Sequence, residues 1–137
     1  MRNRENQMMV AHLVKHIMIV DDEPDIRYTV KLGLEAIDQS YHVQDVKDGE
    51  TCLSHLQNKE HPDLILLDIM MPGLNGIEVA TAIRNNSSWK TISIIVLTAN
   101  VDTPVIEQAK ILAQDVISKP YSLEDLKKRI DELVQTD

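Results

Sequence analysis

Two stretches decide the reading of this chain: LILL at 64–67 and ISIIVL at 92–97. Both are almost continuously apolar and rich in branched side chains. Strands read this way when both faces of a parallel sheet are covered by helices. Three further runs, at 16–20, 41–46 and 116–118, complete a set whose starts recur about every 25 residues, one strand plus one helix. Between them apolar residues recur at helical spacing. The stripes are Ile26, Val30, Leu34 and Ile37; Cys52, Leu53 and Leu56; Ile77, Ala80 and Ile83; Val105, Ile106, Ala109 and Ala113; and Leu123, Leu126, Ile130 and Leu133. Asn75 with Glu78, and Ser122 with Asp125, read as N-caps with an acidic residue in the first turn. Pro24 and Pro104 suit the first helical turn, where a missing N–H costs little. Five strand–helix repeats imply an α/β, doubly wound parallel sheet with right-handed crossovers.

Composition limits what such a domain does. The chain has 137 residues, enough for one core and too few for two full domains. Fourteen basic against twenty-two acidic side chains give a net charge of −8, which disfavours direct binding to nucleic acid. The single cysteine, Cys52, excludes an internal disulfide and a cysteine-based zinc site, and suits a reducing, cytoplasmic compartment. The apolar runs are far short of the roughly 20 residues that cross a bilayer, so no membrane span is expected. Arg2 and Arg4 precede an apolar stretch that has no small-residue cleavage site, which argues against a signal peptide. Residues 1–14 fall outside the repeat and read as an N-terminal extension, frayed or weakly helical; residues 15–137 form the domain. No output domain is read after the last stripe, so the protein is expected to be a stand-alone unit or a piece of a larger one.

Reactive groups in open α/β sheets gather at the carboxyl ends of the strands. After the first run come Asp21, Asp22 and Glu23; after the third, Asp68; after the fourth, Thr98; after the fifth, Lys119 and Pro120. Singly, each has an ordinary reading as a cap, a turn residue or a solvated charge. In the strand order 2-1-3-4-5, however, strands 1, 3, 4 and 5 are neighbours and the groups converge. Two carboxylates about 4 Å apart repel by about 4 kcal/mol at an effective dielectric near 20. Such a cluster therefore needs protonation or a cation, and an all-oxygen site open to water suits Mg²⁺. A lysine and a hydroxyl facing it supply what a phosphoryl group in transfer requires, with an aspartate as nucleophile.

The stretches IVDDEPDIR (19–27), LILLDIMMPGLNGIEV (64–79), IIVLTA (94–99) and ISKPYS (117–122) together resemble the receiver domain of two-component response regulators, over about residues 16 to 135. The resemblance implies a flavodoxin-like (βα)5 fold with Asp68 as phosphoacceptor. It also implies Mg²⁺ held by Asp21, Asp22, Asp68 and the backbone carbonyl of Met70. Thr98 and Lys119 would contact the phosphoryl oxygens, the Lys119–Pro120 bond would be cis, and small Ala99 would leave a path for the donor. The implied partners are a histidine kinase or phosphotransfer protein, a downstream protein target and a phosphorylation-dependent homodimer. Chemistry would be confined to self-phosphorylation from a donor and autodephosphorylation, with Met70 and Asn100 setting the lifetime. One departure is Val116, three residues before the lysine, where the family usually carries Tyr or Phe. The signal is then expected to travel by backbone and loop movement.

Rival readings are a degenerate receiver acting as an unphosphorylated scaffold, an aspartate-nucleophile phosphohydrolase and a flavin module. The phosphohydrolase type usually has a second Asp two residues after the nucleophile, where this chain has Met70. A flavin module needs a Thr/Ser/Gly-rich first loop, and DDEPD would repel its phosphate. The five histidines show no ligand spacing, and Cys52 reads as a small core residue. Trp89, in the polar loop NNSSWK, reads either as packing over the sheet or as a contact surface.

Overall fold

A computed structural model describes residues 14–99 and 104–134. The expected extension lies outside these but for Val14. Strands and helices alternate as β1 (Lys15–Val20), α1 (Pro24–Ile37), β2 (Tyr41–Val46), α2 (Gly49–Gln57), β3 (Leu64–Asp68), α3 (Gly76–Arg84), β4 (Ser93–Thr98), α4 (Pro104–Leu112), β5 (Asp115–Ser118) and α5 (Leu123–Leu133). All pairings are parallel and the strand order is β2-β1-β3-β4-β5.

Alternation along the strands builds two cores. Met18, Val20, Ile65, Leu67, Ile94 and Val96 share one with Cys52, Leu56, Val79, Ala80, Ile83, Ile106 and Ala109, from α2, α3 and α4. Ile17, Ile19, Leu64, Leu66, Ile95 and Leu97 share the other with Val30, Leu34, Leu126 and Ile130, from α1 and α5. Because β3 is buried on both faces, each of its four apolar side chains contributes about 2 kcal/mol.

Several expectations need correction. Asp68 and Thr98 are the last residues of β3 and β4, because the ladders continue through Asp68↔Leu97 and Thr98↔Ser118. On α3 the buried stripe runs through Val79 as well as Ala80 and Ile83, while Ile77 is only partly buried. Ile37 and Val105 are 41% and 39% exposed, since each turns away from the sheet at a helix end. Trp89 is buried and packs into the first core. Cys52 is buried as expected, and burial pushes its thiol up to about 12, so it carries no thiolate at neutral pH.

Register also creates what spacing along the chain hides. His16 and His42 are paired across β1 and β2, and their rings meet edge to face at 5.6 Å. At the same end of the sheet Asp131 of α5 accepts hydrogen bonds from Lys15 Nζ at 2.7 Å, Tyr41 Oη at 2.5 Å and Lys127 Nζ at 2.5 Å. Burial alone would raise the Asp131 pKa, but the bonds from Lys127, Lys15 and Tyr41 hold it at about 2. The folded value is depressed, so this stabilisation is present above the unfolded value near 4 and is lost as pH falls towards 2. Asp131→Asn is expected to lower the melting temperature by about 4 °C at pH 7, after discounting for partial exposure. The difference should shrink in thermal melts taken from pH 4 down to pH 2.

Candidate functional site

The carboxyl ends of β1, β3, β4 and β5 bring together Asp21, Asp22, Asp68, Thr98 and Lys119. Asp21, Asp68 and Thr98 are buried, while Asp22 is exposed. Asp21, Asp22 and Asp68 each offer an oxygen within 4.8 Å of the others'. Lys119 Nζ lies 3.4 Å from Asp68 Oδ1 and 3.6 Å from Asp21 Oδ2. The backbone N–H of Lys119 donates to the Thr98 carbonyl at 2.7 Å, which fixes the start of the lysine's reach. The Lys119–Pro120 peptide is cis.

Local structure explains these positions. Asp68 stays in the sheet, while Ile69 already turns away: its N–H bonds Leu97 O at 3.3 Å and its carbonyl accepts from Gly76 N–H at 3.0 Å. The Met70 N–H donates to Asp68 Oδ1 at 3.3 Å. Gly73, with φ +75°, occupies the left-handed region that the turn requires. The helix that follows is closed by a capping box, Glu78 N–H to Asn75 Oδ1 at 2.9 Å and Asn75 N–H to Glu78 Oε1 at 3.0 Å.

Electrostatics marks the site as unfinished. Burial, then the charge of Asp21, raises the Asp68 pKa, and Lys119 with the Met70 N–H only partly offsets this. Asp21 Oδ2 is buried and accepts no hydrogen bond. A carboxylate oxygen left so is costly unless cations meet it, and the one at hand, Lys119 Nζ at 3.6 Å, is shared with Asp68. The donor set is all oxygen, close-set and open to solvent at Asp22, and so fits a hard divalent cation. Tyr121, beside the site, has its hydroxyl pushed up to about 12 by burial and by Asp21 and Asp68, so it stays neutral. An apolar hollow of about 540 Å³, lined by Ile26, Thr29, Ala99, Lys119, Pro120 and Leu123, opens next to the lysine.

Arg27 took no part in the sequence reading of the site, yet its Nη1 donates to the Asp21 carbonyl at 2.8 Å. A helical arginine reads as a solvated charge, and no periodic signal marks this contact. Val116, at the departed position, is half-buried against the first core. Asn100 lies outside the described residues.

Such a fold, five parallel strands in this order with an acidic pocket and a lysine at their carboxyl ends, defines a class of flavodoxin-like α/β domains. The response regulator receiver domain family matches residues 17–131, and the chain belongs to that family. A probable transcriptional regulator, ycf27 of Cyanophora paradoxa, is 39% identical over 122 residues, 88% of this chain and 48% of its own. The response regulator ArlR of Staphylococcus saprophyticus is 37% identical over 115 residues, 83% of this chain and 50% of its own. The chain thus spans about half the length of the curated relatives it matches. Among solved structures, the chemotaxis protein CheY4 of Vibrio cholerae has a TM-score of 0.80 at 29% identity, covering 88% of this chain and 99% of that one. The response regulator TrrA of Thermotoga maritima, solved with Mg²⁺ and BeF, has a TM-score of 0.77 at 33% identity, covering 88% of this chain and 100% of that one. No helix among the described residues is long and apolar enough to cross a membrane.

Proposed function

We propose that this receiver accepts a phosphoryl group on Asp68 from a histidine kinase or phosphotransfer protein, and that the modified domain switches a protein-interaction surface. One observation carries the reading. Three carboxylates share a space of 4.8 Å with Lys119 Nζ against two of them.

The step is a displacement at phosphorus. An Asp68 carboxylate oxygen forms the new O–P bond as the donor's P–N bond breaks, and the electron pair leaves on the donor nitrogen. Lys119 and the Thr98 hydroxyl would meet the phosphoryl oxygens, where charge accumulates in transfer. Asp21, Asp22, Asp68 and the Met70 carbonyl would hold Mg²⁺, which supplies charge neutralisation when bound. The hollow beside Ala99 gives the donor an apolar surface on which to rest. Hydrolysis returns the Asp68 carboxylate, with water attacking phosphorus and inorganic phosphate leaving. Phosphorylation adds about two negative charges beside Lys119 and Thr98 and so biases the surrounding surface. With Val116 in place of a ring, that bias reaches the α4 and β5 face by backbone and loop movement. The longer relatives named as transcriptional regulators fit a receiver that feeds a separate output unit.

Intact mass after incubation with Mg²⁺ and a small-molecule phosphoryl donor tests the reading. One added phosphoryl group is expected, and none with a chelator present. If neither that donor nor any histidine kinase labels the chain, and calorimetry finds no Mg²⁺ binding, the unphosphorylated scaffold replaces this proposal. Release of phosphate from many donor molecules per chain in each minute would instead favour a phosphohydrolase.

A further inference from the structure

The turn from β1 into α1 holds Asp21 by every polar atom but one. Its N–H donates to Val46 O at 3.1 Å, its carbonyl accepts from Arg27 Nη1 at 2.8 Å, and its Oδ1 accepts from the Glu23 N–H at 2.9 Å. Only Oδ2 remains, buried, without a hydrogen-bond partner and 3.6 Å from Lys119 Nζ. Two of the three restraints come from backbone groups that any sequence would provide. The third is a side chain.

The position of Arg27 is not explained by its ion pair. Its side chain is 12% exposed, and Nε lies 3.5 Å from Asp45 Oδ2. That Nε is buried without a hydrogen-bond partner, which is unfavourable for a charged donor. Asp45 also has Lys31 Nζ at 3.8 Å and does not depend on Arg27 for a cation. The well-formed bond is the one to the Asp21 carbonyl. Asp45 sits in β2 beside Val46, whose own carbonyl takes the Asp21 N–H. The guanidinium therefore spans from the edge strand to the Asp21 carbonyl, and the two peptide groups that flank the Asp21 Cα are both referred to the same strand.

We propose that Arg27 is a positioning residue of the acidic pocket: it fixes the Asp21 peptide, aims Oδ2 inward, and so sets the pocket's affinity for a divalent cation. This rests on the phosphoacceptor reading above. Groups behind a metal ligand commonly change metal affinity by about 10 to 100-fold when removed. Positioning and simple charge make opposite forecasts. A cation near an acidic pocket opposes Mg²⁺ binding, so charge alone predicts tighter binding when Arg27 is neutralised. Positioning predicts weaker binding.

The test uses the full chain, titrated with Mg²⁺ in a calorimeter, together with phosphoryl uptake measured across a Mg²⁺ series. Arg27→Met is expected to raise half-saturating Mg²⁺ about 10-fold or more. Its uptake rate at saturating Mg²⁺ should stay within about twofold of wild type, because the reacting groups are untouched. Arg27→Lys keeps the charge but not the fork, and should recover only part of the affinity. Unchanged or tighter Mg²⁺ binding in Arg27→Met overturns the proposal. If that variant gives no cooperative melt, Arg27→Lys decides, and wild-type affinity there overturns it. A wild-type chain that binds no Mg²⁺ brings down the phosphoacceptor reading and this one together. A wild type that binds, with variants its equal, removes this one alone.

Discussion

The Asp68→Asn chain is expected to gain no phosphoryl group from a small-molecule donor in Mg²⁺, and to melt above wild type in metal-free buffer. Loss of uptake follows from the nucleophile: an amide cannot form the acyl phosphate. Gain of stability follows from the same residue's surroundings. Asp68 is 4% exposed, with burial and the Asp21 charge both raising its pKa. A folded pKa raised above the unfolded one means the native state prefers the protonated form. Wild-type stability then declines as pH rises from the unfolded value through the folded one. Asparagine is nearly isosteric, can still accept from the Met70 N–H, and carries no charge. The advantage is therefore small near pH 4 and grows as pH rises, and an uncharged isostere at a buried, charge-repelled site gains about 1 to 2 kcal/mol or about 3 to 8 °C. Mg²⁺ should narrow the gap, since ligand at ten times its Kd stabilises the wild type by about 1.4 kcal/mol and the variant by less. Scanning calorimetry with and without Mg²⁺ checks the stability half, and intact mass the chemical half. A variant that melts below wild type without metal would show that Lys119 already neutralises the cluster. Continued labelling would move the phosphoacceptor elsewhere.

That trade between stability and function is where sequence and structure meet most closely. LILL and ISIIVL dictate a doubly covered sheet because such a sheet buries two adjacent, almost continuously apolar strands on both faces. The residues closing those runs then fall at the carboxyl edge. Asp21, Asp22, Asp68 and Lys119 could be brought together from sequence because their convergence depends only on strand order. What escaped depends on three-dimensional reach. Arg27 contacts a carbonyl six residues back from the far side of a helix turn. Asp131 gathers Lys15 and Tyr41 across a gap of about ninety residues or more. Trp89 enters the core from a loop whose neighbours are all polar. Hydrophobic periodicity carries none of these, because each is a contact that only the assembled fold brings about.

Gly76→Ala carries the second large effect and shows how tightly the site is tied to the helix behind it. Gly76 opens α3, and a Cβ there would lie 2.5 Å from the Asp68 carbonyl oxygen, 2.8 Å from Ile69 Cα and 3.1 Å from the Asp68 carbonyl carbon. All three are backbone atoms of the peptide that carries Asp68, and no rotamer relieves them. Either α3 withdraws or the Asp68–Ile69 peptide shifts. Overpacking of this kind costs about 3 kcal/mol, near 10 °C in melting temperature. A displacement of about 1 Å at a nucleophile slows transfer by about 10²-fold. Gly73→Ala is the internal comparison. There the three nearest atoms to the Cβ all belong to the Glu50 carboxylate, Oε1 closest at 2.9 Å, a flexible side-chain end. Its cost is the φ of +75°, about 1 to 2 kcal/mol, and phosphoryl uptake should stay within a few-fold of wild type. Comparable uptake in the two variants would mean that α3 yields and the peptide does not. In that case Asp68 is positioned by its strand ladder to Leu97 alone. A collapse of uptake in Gly76→Ala with only a modest change in Gly73→Ala would show that the start of α3 is a wall against which Asp68 is set.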